Sequence, residues 1–600
     1  MKLSRNYIKL YLNLTAKKIL AYLKQRIEYK TFLIFASLFV GVFSGIAASL
    51  LKNLVHYIQH ESHSLFNNFG IKYLNSIIPL IGIFLSILIV KIFFDGKIIK
   101  GLGNVIYSIV RKKSDLPASK ILSHLLTSGV TVGMGGSAGL EAPIVIIGAS
   151  IGSNVAKELK LNYKTRTLLL ACGSAAGISA IFNSPIAGVI FAFEVLLPEV
   201  TVYSFIPLLI ASASSAVLSK MLYSGQLFYL VTEGWHLYAI PYYIILGVIC
   251  GFVSLYMIKT SHYLEHLMDN YTKTIKKALF GGIVLCSLIV ILPPLFGEGY
   301  STVISLLAGK QQELLNNSVF QIFKNKEITL LVFVALIIIT KVFATSLTIG
   351  SGGNGGIIAP SLFTGALTGF FIATSVNYLG ISELNTANFI VVGMAGILSG
   401  VIHAPLTGIF LIAEVTGGYS LIVPLMIVAA LSFFISKHFH KDSIYTTTLA
   451  EKGIQFRSKK ESFFINDLKT EDLIENDFIA LKPNMTLRML AEKLTNTRRN
   501  LFPILDDNGV LIGIITLDDI REVMLDKEVY DVLLVGDIMS QYFDSVDIKT
   551  ELFEVMEHFE EKNIWNLPVT NCGKYVGFLS KSNIFQKYST HWANQEKEEI

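Results

Sequence analysis

The stretch Gly133–Pro143, GMGGSAGLEAP, is a glycine-rich turn that opens an apolar run, Ile144–Ile151. It carries one carboxylate, Glu141, and an ionisable side chain in a membrane-embedded segment usually marks a functional site because it is costly to place there. The same glycine frame returns 217 positions later as Gly350–Pro360, GSGGNGGIIAP. There Ile358 takes the place of Glu141. The acid is therefore what the first copy adds to a shared frame.

A second pair of motifs supports a duplication. The first motif contains Gly173, Pro185, Gly188 and Glu194, and the second repeats them 220 positions later as Gly393, Pro405, Gly408 and Glu414. Two motif pairs at nearly the same offset predict two repeats, over about residues 31–222 and 240–450. Such repeats commonly run in opposite directions across a bilayer and hold the substrate where they meet. We therefore expect inverted repeats.

The composition is that of an integral membrane protein. Of 600 residues, 52% are hydrophobic and 16% are charged, and the mean hydropathy is +0.57. Seven runs approach or exceed the length that spans hydrocarbon, about 18–20 residues: Thr31–Leu51, Leu74–Phe94, Phe205–Leu222, Tyr242–Met257, Phe280–Leu295, Thr329–Leu347 and Leu421–Ile435. Shorter, interrupted runs such as Ile178–Leu197 point to discontinuous helices around a substrate site. The four cysteines have no CxxC spacing and give no metal or disulfide framework.

The charge pattern divides the chain into regions. Residues 1–30 hold eight Lys/Arg and one acid, which predicts a basic amphipathic helix on the cytoplasmic membrane surface, with a solvated tail as the alternative. Residues 31–450 form the membrane part. Residues 464–526 and 534–590 each alternate β-rich and helical patterns, which predicts a soluble α/β pair whose two copies pack together. We expect a multi-pass protein of the cell membrane with both ends in the cytoplasm.

The two glycine-rich helix starts favour an anion as the substrate. A helix N-terminus presents unpaired N–H groups and the positive end of its dipole, so two of them aimed at one point bind an anion without a buried cation. A carboxylate at the same point, Glu141, competes with the anion for those N–H groups. When Glu141 is protonated or swung aside, the anion takes its place. One residue can then serve as gate and proton carrier.

Several ordered motifs resemble those of the CLC family of chloride channels and proton/chloride antiporters. They are GLEAP at Gly139–Pro143, the frame Gly350–Pro360, the FNSPIAG and HAPLTG pair, and SIYTTTL around Tyr445. The resemblance covers roughly residues 31–450 and implies an all-α polytopic CLC fold, followed by a pair that resembles tandem CBS domains. It also implies a homodimer with one pore per subunit.

The resemblance implies a role for specific residues. Glu141 matches the external gating glutamate, and Tyr445 matches the tyrosine whose hydroxyl faces the central ion. The backbone that matches the chloride-coordinating helix starts belongs to Gly139, Leu140 and Ala142 in the first repeat and to Gly356, Ile357 and Ile358 in the second.

Three positions depart from the family pattern. In the family, a serine hydroxyl and the tyrosine hydroxyl together help to hold the ion. Leu102 stands at the serine position, which leaves Tyr445 as the side-chain donor of these two. Leu140 replaces the arginine that usually precedes the gating acid. Val195 replaces the internal proton-relay glutamate of many antiporters. Channel and antiporter therefore both stay open.

Four other polar residues of the membrane part have structural interpretations. Glu194 and Glu414 occur in both repeats, which favours structural pairing over proton transfer. His403 is interpreted as a buried polar residue. Lys341 lies in an apolar run and is expected to snorkel or to pair with a helix C-terminus.

The soluble pair carries a candidate nucleotide motif. In nucleotide-binding CBS pairs, a Ser/Thr followed three residues later by Asp contacts the phosphate and ribose. Thr516 and Asp519 keep this pattern, whereas Ser580 is followed by Asn583. We expect no required cofactor, with an adenine nucleotide as the possible ligand and a structural dimerisation module as the alternative.

These features predict transmembrane transport of chloride. One rival is a fluoride-selective protein of the same fold, because Leu102 removes a donor. A rival of another class is a CBS-regulated cation transporter, which needs several converging acids that the membrane part does not supply. No nucleophile–base arrangement suggests an enzyme, the glycine-rich stretches do not follow a strand as a dinucleotide site requires, and no nucleic-acid partner is expected.

Overall fold

The computed structural model describes residues 29–67, 74–94, 96, 101–111, 113–197, 202–223, 234–271, 274–315, 318–322, 326–451, 470–495, 497, 499–521, 523–524, 529–541, 544–550, 552–562 and 564–587. The predicted amphipathic helix over residues 1–30 lies almost wholly outside them. The chain divides into two units, residues 1–457 and 458–600.

The first unit is built from helices. Its α-helices are α1 (Tyr29–Asn67), α2 (Ile78–Phe93), α3 (Gly103–Arg111), α4 (Ser119–Gly133), α5 (Glu141–Glu158), α6 (Tyr163–Phe182), α7 (Pro185–Phe191), α8 (Val202–Leu222), α9 (Ile240–Asp269), α10 (Thr274–Ile291), α11 (Tyr300–Leu307), α12 (Lys326–Gly350), α13 (Ile358–Tyr378), α14 (Thr386–Ile402), α15 (Pro405–Val415), α16 (Ile422–Phe439) and α17 (Thr447–Ala450). Short 3-10 turns lie at Leu74–Ile77, Leu237–Ala239, Pro293–Leu295, Gln311–Leu315 and Val319–Ile322, and a π-helical turn, Ala192–Leu196, continues α7.

Eight described helices are long and apolar enough to cross a membrane. Six of them coincide with predicted runs to within four residues at the shared ends or enclose them, whereas Leu74–Phe94 gives only the 16-residue helix α2 after a 3-10 turn. The other two, α6 and α13, were not among the predicted spans. Their apolar windows are 89% and 83% buried inside the protein. They are rich in Gly, Ala, Ser and Thr because they pack against other helices, and those small residues lower the hydropathy that a sequence scan relies on.

Glycine allows the central helices of each repeat to touch backbone to backbone. A Cβ on Gly148 would lie 2.0 Å from the carbonyl oxygen of Gly173, where α5 crosses α6. The equivalent Cβ on Gly365 would lie 2.3 Å from the carbonyl oxygen of Gly393, where α13 crosses α14. The same close crossing therefore occurs once in each repeat, as the sequence duplication predicts.

The second unit contains two small α/β cores. Its strands are β1 (Leu501–Leu505), β2 (Leu511–Thr516), β3 (Val546–Asp547), β4 (Asn566–Asn571) and β5 (Lys574–Ser580). Its helices are the 3-10 turn Thr470–Leu473 and α18 (Leu487–Leu494), α19 (Leu517–Arg521), α20 (Val535–Ile538) and α21 (Leu552–Glu561). Strands β1 and β2 are antiparallel, while β4 pairs with β3 in parallel and with β5 antiparallel.

The two copies of this unit pack together, as predicted. Bridges join Val510 to Lys574 and Ile514 to Ser540. Leu473, near the start of the first copy, lies in the core of the second, and Val535, near the start of the second copy, lies in the core of the first. Each core is thus completed by the first residues of the other copy.

Candidate functional site

The two glycine loops meet in a reciprocal pair of hydrogen bonds. The Gly139 N–H donates to the Gly356 carbonyl at 2.9 Å, and the Gly356 N–H donates to the Gly139 carbonyl at 2.7 Å. The two segments run antiparallel at this bridge. Helices α5 and α13 begin just after it, so the N-termini of two repeat-related helices lie side by side in the interior.

Threonine side chains extend this reciprocity on one side of the bridge. The Thr348 hydroxyl accepts from the Ser137 N–H at 3.1 Å, and the Thr131 hydroxyl accepts from the Asn354 N–H at 3.0 Å. Each loop is therefore held by a threonine from the opposite repeat. The Asn354 side-chain amide also donates to the Thr127 hydroxyl at 2.7 Å. These buried, satisfied polar groups fix the relative position of the two loops.

The Glu141 side chain is completely buried at the start of α5. One carboxylate oxygen accepts from the Tyr300 hydroxyl at 2.6 Å. The other lies 3.4 Å from the Ala359 N–H, which donates to it from the first turn of α13. The carboxylate thus accepts a hydrogen bond from an amide at the helix start of the opposite repeat, where an anion would also be attracted.

Gly139 is required by this position of Glu141. A Cβ on Gly139 would lie 2.0 Å from a carboxylate oxygen of Glu141 and 2.8 Å from the Ala359 Cβ. In the other repeat, a Cβ on Gly356 would lie 2.9 Å from the Cβ and the nitrogen of Ala142. Both loops are tight, but only the first makes room for a carboxylate.

The amide groups named from sequence differ in what they contact. The N–H groups of Gly139 and Gly356 donate to each other's carbonyls, so these glycines shape the bridge. Leu140 is buried and directly precedes α5 as its N-cap residue. Ala142, Ile357 and Ile358 lie in or just before the first turns of α5 and α13, where amides have no acceptor within the helix. The bridge thus brings these two sets of helix-start donors together.

Tyr445 and Leu102 come together on another side of the interior. The Tyr445 side chain is buried, and no described residue hydrogen-bonds its hydroxyl. Leu102 is fully buried, and the next residue, Gly103, begins α3 so close to Tyr445 that a Cβ would lie 2.8 Å from the Tyr445 carbonyl oxygen. A buried hydroxyl without a partner costs about 1–3 kcal/mol, which an anion would remove by accepting its hydrogen bond.

Sequence reasoning missed Tyr300 and Glu298. Both lie in the loop Gly297–Tyr300, GEGY, which is anchored where the Gly297 N–H donates to the Gly135 carbonyl at 2.9 Å. This loop places a phenol and a second acid beside the gate candidate. A glycine-flanked acid in an apolar chain was the available signal, but the GEGY stretch belongs to neither of the motif pairs that indicated the duplication.

Lys341 neither snorkels nor lies at the interface. It is fully buried, donates to the Gly297 carbonyl at 2.9 Å, and lies 4.8 Å from the centroid of the Phe363 ring. The expectation of snorkelling was wrong because a carbonyl and an aromatic face supply its partners inside the protein. Its role is to hold the loop that carries Glu298 and Tyr300.

Glu194 and Glu414 have the structural role that the duplication predicted. The Glu194 carboxylate accepts from the N–H groups of Leu406 and Thr407, at 3.0 and 2.7 Å, at the start of α15. The Glu414 carboxylate accepts from Ile186 and Ala187, at 3.1 and 2.9 Å, at the start of α7. Each acid caps a helix of the other repeat.

His403 is half-buried rather than buried. It ends α14 in the left-handed region with φ 57°, and its repeat counterpart Asn183 ends α6 with φ 56°. Asn and His enter this region more readily than most residues. The backbone conformation therefore explains Asn183 and His403, because each residue turns the chain from the end of a long helix into the next short helix. Val195 is buried in the π-helical turn.

The candidate nucleotide residues already have partners within the second unit. Asp519 accepts from the N–H and hydroxyl of Thr516, at 2.8 and 2.7 Å, and the Thr516 hydroxyl accepts from the Asp519 N–H at 3.2 Å. This reciprocal pattern caps α19. The Ser580 hydroxyl bonds the Glu475 carboxylate, which also pairs with Arg499. Asn583 donates to the Leu473 carbonyl at 3.1 Å.

Family comparisons agree with this architecture. The profile of the family described as "Voltage gated chloride channel" matches residues 81–437, and the CBS domain profile matches residues 471–526 and 535–589. The first match covers more than half of the 600 residues. The chain belongs to the CLC family of chloride transport proteins and carries a tandem CBS pair. It is thus a multi-pass membrane protein of a family of transporters and channels rather than enzymes.

Individual relatives share moderate identity with the chain. The voltage-gated ClC-type chloride channel ClcB of Escherichia coli is 30% identical over 338 residues, which cover 55% of this chain and 75% of the relative. The chloride channel protein CLC-e of Arabidopsis thaliana is 27% identical over 550 residues, covering 80% and 75%.

Solved structures share the fold. A slow cyanobacterial Cl⁻/H⁺ antiporter matches with TM-score 0.60 and 22% identity, over 71% of this chain and 98% of that one. A CLC-type fluoride/proton antiporter matches with TM-score 0.56 and 22% identity, over 70% and 98%.

Proposed function

We propose that this protein moves chloride through the crossing of the two glycine loops, with Glu141 as the gate. The observation that carries the proposal is the buried Glu141 carboxylate accepting from Ala359, a helix-start amide of the opposite repeat. A chloride ion that takes this donor must displace the carboxylate. The Tyr445 hydroxyl, for which no described residue is a partner, supplies a further donor for the ion on its way through.

We propose that displacement of Glu141 is coupled to uptake of a proton. An ionised Glu141 that leaves the Tyr300 hydroxyl and the Ala359 amide loses two hydrogen bonds while it stays inside an apolar protein. A protonated carboxyl needs these bonds far less, because it carries no charge. Anion entry and Glu141 protonation therefore favour each other. The two solved structures named above are of a Cl⁻/H⁺ antiporter and a fluoride/proton antiporter, and the same kind of exchange is proposed here.

The test is a liposome experiment with purified full-length protein. A chloride gradient is imposed in lightly buffered medium, with a pH-sensitive dye outside. Antiport predicts proton pumping against a pH gradient, and an ionophore that collapses that gradient should abolish the signal. Chloride flux without proton movement would overturn antiport and leave Glu141 as the gate of a passive channel.

Fluoride is a second candidate substrate because of Leu102. This side chain is buried and offers no donor where the family has a serine hydroxyl, so a conventional chloride contact is missing. In a flux assay, fluoride and chloride should be competed at matched concentrations. Chloride preference in the wild type, strengthened in Leu102→Ser, supports chloride transport, whereas block of chloride flux by low fluoride with faster fluoride flux overturns it.

We further propose a homodimer with one pore per chain and a cytoplasmic CBS pair. Both follow from membership of the family rather than from contacts between chains. Molar mass by light scattering in detergent, corrected for bound detergent, should equal twice the mass of the chain. Protease added outside intact cells should leave the CBS pair uncut.

Any adenine nucleotide bound by the CBS pair is proposed to use Thr516 and Asp519 of the first copy. Ser580 of the second copy is already bonded to Glu475, a negative group that disfavours phosphate. Calorimetric titration of ATP and AMP into the full-length protein should show binding that Thr516→Ala weakens and Ser580→Ala leaves unchanged. Absence of heat with either nucleotide would support the structural-module alternative.

A further inference from the structure

Two histidines and one glutamate converge beyond the transport site, at the far end of α9. His262 and His266 are one turn apart on this helix, and Glu451 follows the short helix α17. The Glu451 carboxylate lies 2.6 Å from the His262 Nε2 and 3.3 Å from the His266 Nε2. The two Nε2 atoms are 3.2 Å apart. The group comes from two segments that are 185 residues apart in sequence.

We propose that His262, His266 and Glu451 bind a divalent first-row transition ion, with Zn²⁺ as the ion that fits this donor set. Two imidazole nitrogens and a carboxylate suit zinc and its neighbours better than Mg²⁺ or Ca²⁺, which prefer oxygen ligands alone. A fourth position would be left for water. None of the three residues is among those proposed for anion transport.

The geometry is close to that of a formed site. Ligand atoms about 2.0–2.1 Å from a tetrahedral Zn²⁺ are separated from each other by about 3.3–3.4 Å. The two separations that involve the His266 Nε2, 3.2 and 3.3 Å, already have this length. The His262 Nε2 contact of 2.6 Å is a hydrogen bond to the other carboxylate oxygen of Glu451, Oε1, and this pair has to separate by less than about 1 Å for the ion to replace the shared proton.

The three side chains are accessible to an ion from solution. Their exposed fractions are 22% for His262, 61% for His266 and 46% for Glu451. The helix fixes the spacing of the two histidines, so only Glu451 must be brought to them. Because the histidines lie on one face of a helix at i and i+4, most of the ordering cost of the site is met by the fold itself.

A bound ion would also restrain the segment that carries Tyr445. Glu451 lies six positions after Tyr445, and its N–H donates to the Thr447 carbonyl at 3.1 Å, so the two are joined by a single helical turn. This consequence rests on the proposed role of Tyr445 in anion transport. Holding Glu451 against α9 should slow chloride flux, because movement of the Tyr445 segment is then opposed by metal–ligand bonds.

The site is tested with tag-free, full-length protein in detergent, stripped of metal by a chelator that is then removed. Calorimetric titration with Zn²⁺ should give one ion per chain. His266→Gln and Glu451→Gln should each weaken binding by about 10–100-fold or more, since loss of a partner that merely supports a ligand already costs that much. Co²⁺ should give the visible absorption of a four-coordinate ion in the wild type but not in these two variants.

A matched control is His60→Gln. His60 lies 3.8 Å from the Glu61 carboxylate, which makes it an exposed His–Glu pair for which the described residues supply no third ligand within reach. Zn²⁺ affinity should be unchanged in this variant. Equal unfolding temperatures of all metal-free variants show that they are folded. No stoichiometric binding, or binding unaffected by His266→Gln, overturns the site.

Flux in liposomes separates this site from the proposed transport function. Micromolar Zn²⁺ should slow chloride flux in the wild type and in His60→Gln but not in Glu451→Gln. Tight binding without any change of flux would overturn the restraint on Tyr445 while leaving the metal site intact. Absence of chloride flux from every metal-free sample would instead count against the proposed function.

Discussion

The loops Gly133–Pro143 and Gly350–Pro360 share a backbone and differ in one side chain that matters. Both begin with a glycine turn, both receive a threonine hydroxyl from the other repeat, and each hydrogen-bonds the other through one glycine. Only the first places an acid, Glu141, at the start of the following helix, where the second has Ile358. The duplicated backbone thus builds a symmetric pair of helix starts, and the single acid makes the pair asymmetric.

The largest effect is expected from removing that asymmetry with Glu141→Gln. The neutral side chain needs no proton to leave the Ala359 amide, so chloride should flow without proton movement. Proton and chloride fluxes measured in the same liposomes give the ratio. Glu158→Gln, at the exposed end of the same helix, is the matched control and should keep normal coupling. Unchanged coupling in Glu141→Gln would remove Glu141 from the mechanism.

Adding one methyl group to each loop should produce different defects. In Gly139→Ala the Cβ takes the space of the Glu141 carboxylate, so the gate is displaced and coupling falls toward that of Glu141→Gln. In Gly356→Ala the clash is with Ala142, so stability falls by ~1–3 kcal/mol while the coupling ratio persists. Flux ratio and unfolding temperature measured on both variants distinguish the two. Identical behaviour of both would contradict the asymmetry.

The crossed helix caps should respond alike in the two repeats. Glu194→Gln and Glu414→Gln each weaken the capping of a helix in the other repeat, at a cost of about 1 kcal/mol. Glu194 also accepts from the Thr407 hydroxyl at 2.7 Å, so its substitution should cost slightly more. Thermal unfolding in detergent measures both.

The same pair of variants sharpens the question raised by Val195. If capping is the whole role of Glu194, both variants keep the wild-type ratio of protons to chloride. Loss of proton movement in Glu194→Gln alone would identify Glu194 as a proton carrier.

The smallest difference between the two repeats is expected at the threonines, where the two loops are most alike. Thr131→Val and Thr348→Val each leave one buried loop amide without its acceptor, Asn354 or Ser137, at a cost of about 1 kcal/mol. The two shifts in unfolding temperature should agree closely. A shift confined to one variant would show that the loops are not held equivalently.

The sequence predicted features that recur at a fixed spacing. The two sequence offsets, 217 and 220 positions, predicted the repeats, the paired acids Glu194 and Glu414 and the two glycine loops, because each of these features is present twice. Features that occur once were harder to find. Tyr300 contacts Glu141 across 159 positions, and it lies in neither of the motif pairs that indicated the repeats.

Burial inside a membrane protein also misled the prediction at several places. Helices α6 and α13 have small polar and apolar residues because they face protein, so their hydropathy is modest. Lys341 contacts a carbonyl and an aromatic ring in the interior, whereas the sequence suggested the membrane surface or a helix C-terminus as the place for its charge. Such partners come from distant segments, which local patterns do not reveal.

The bridge between Gly139 and Gly356 has a consequence for the origin of the chain. Each residue gives the same bond that it receives, so the contact is isologous, like the interface of a twofold homodimer. A single ancestral half could therefore have paired with a second copy of itself through this surface before fusion joined the two. In that dimer both acids or neither would have been present. Only after fusion could one half keep a carboxylate that the other replaced with an aliphatic side chain.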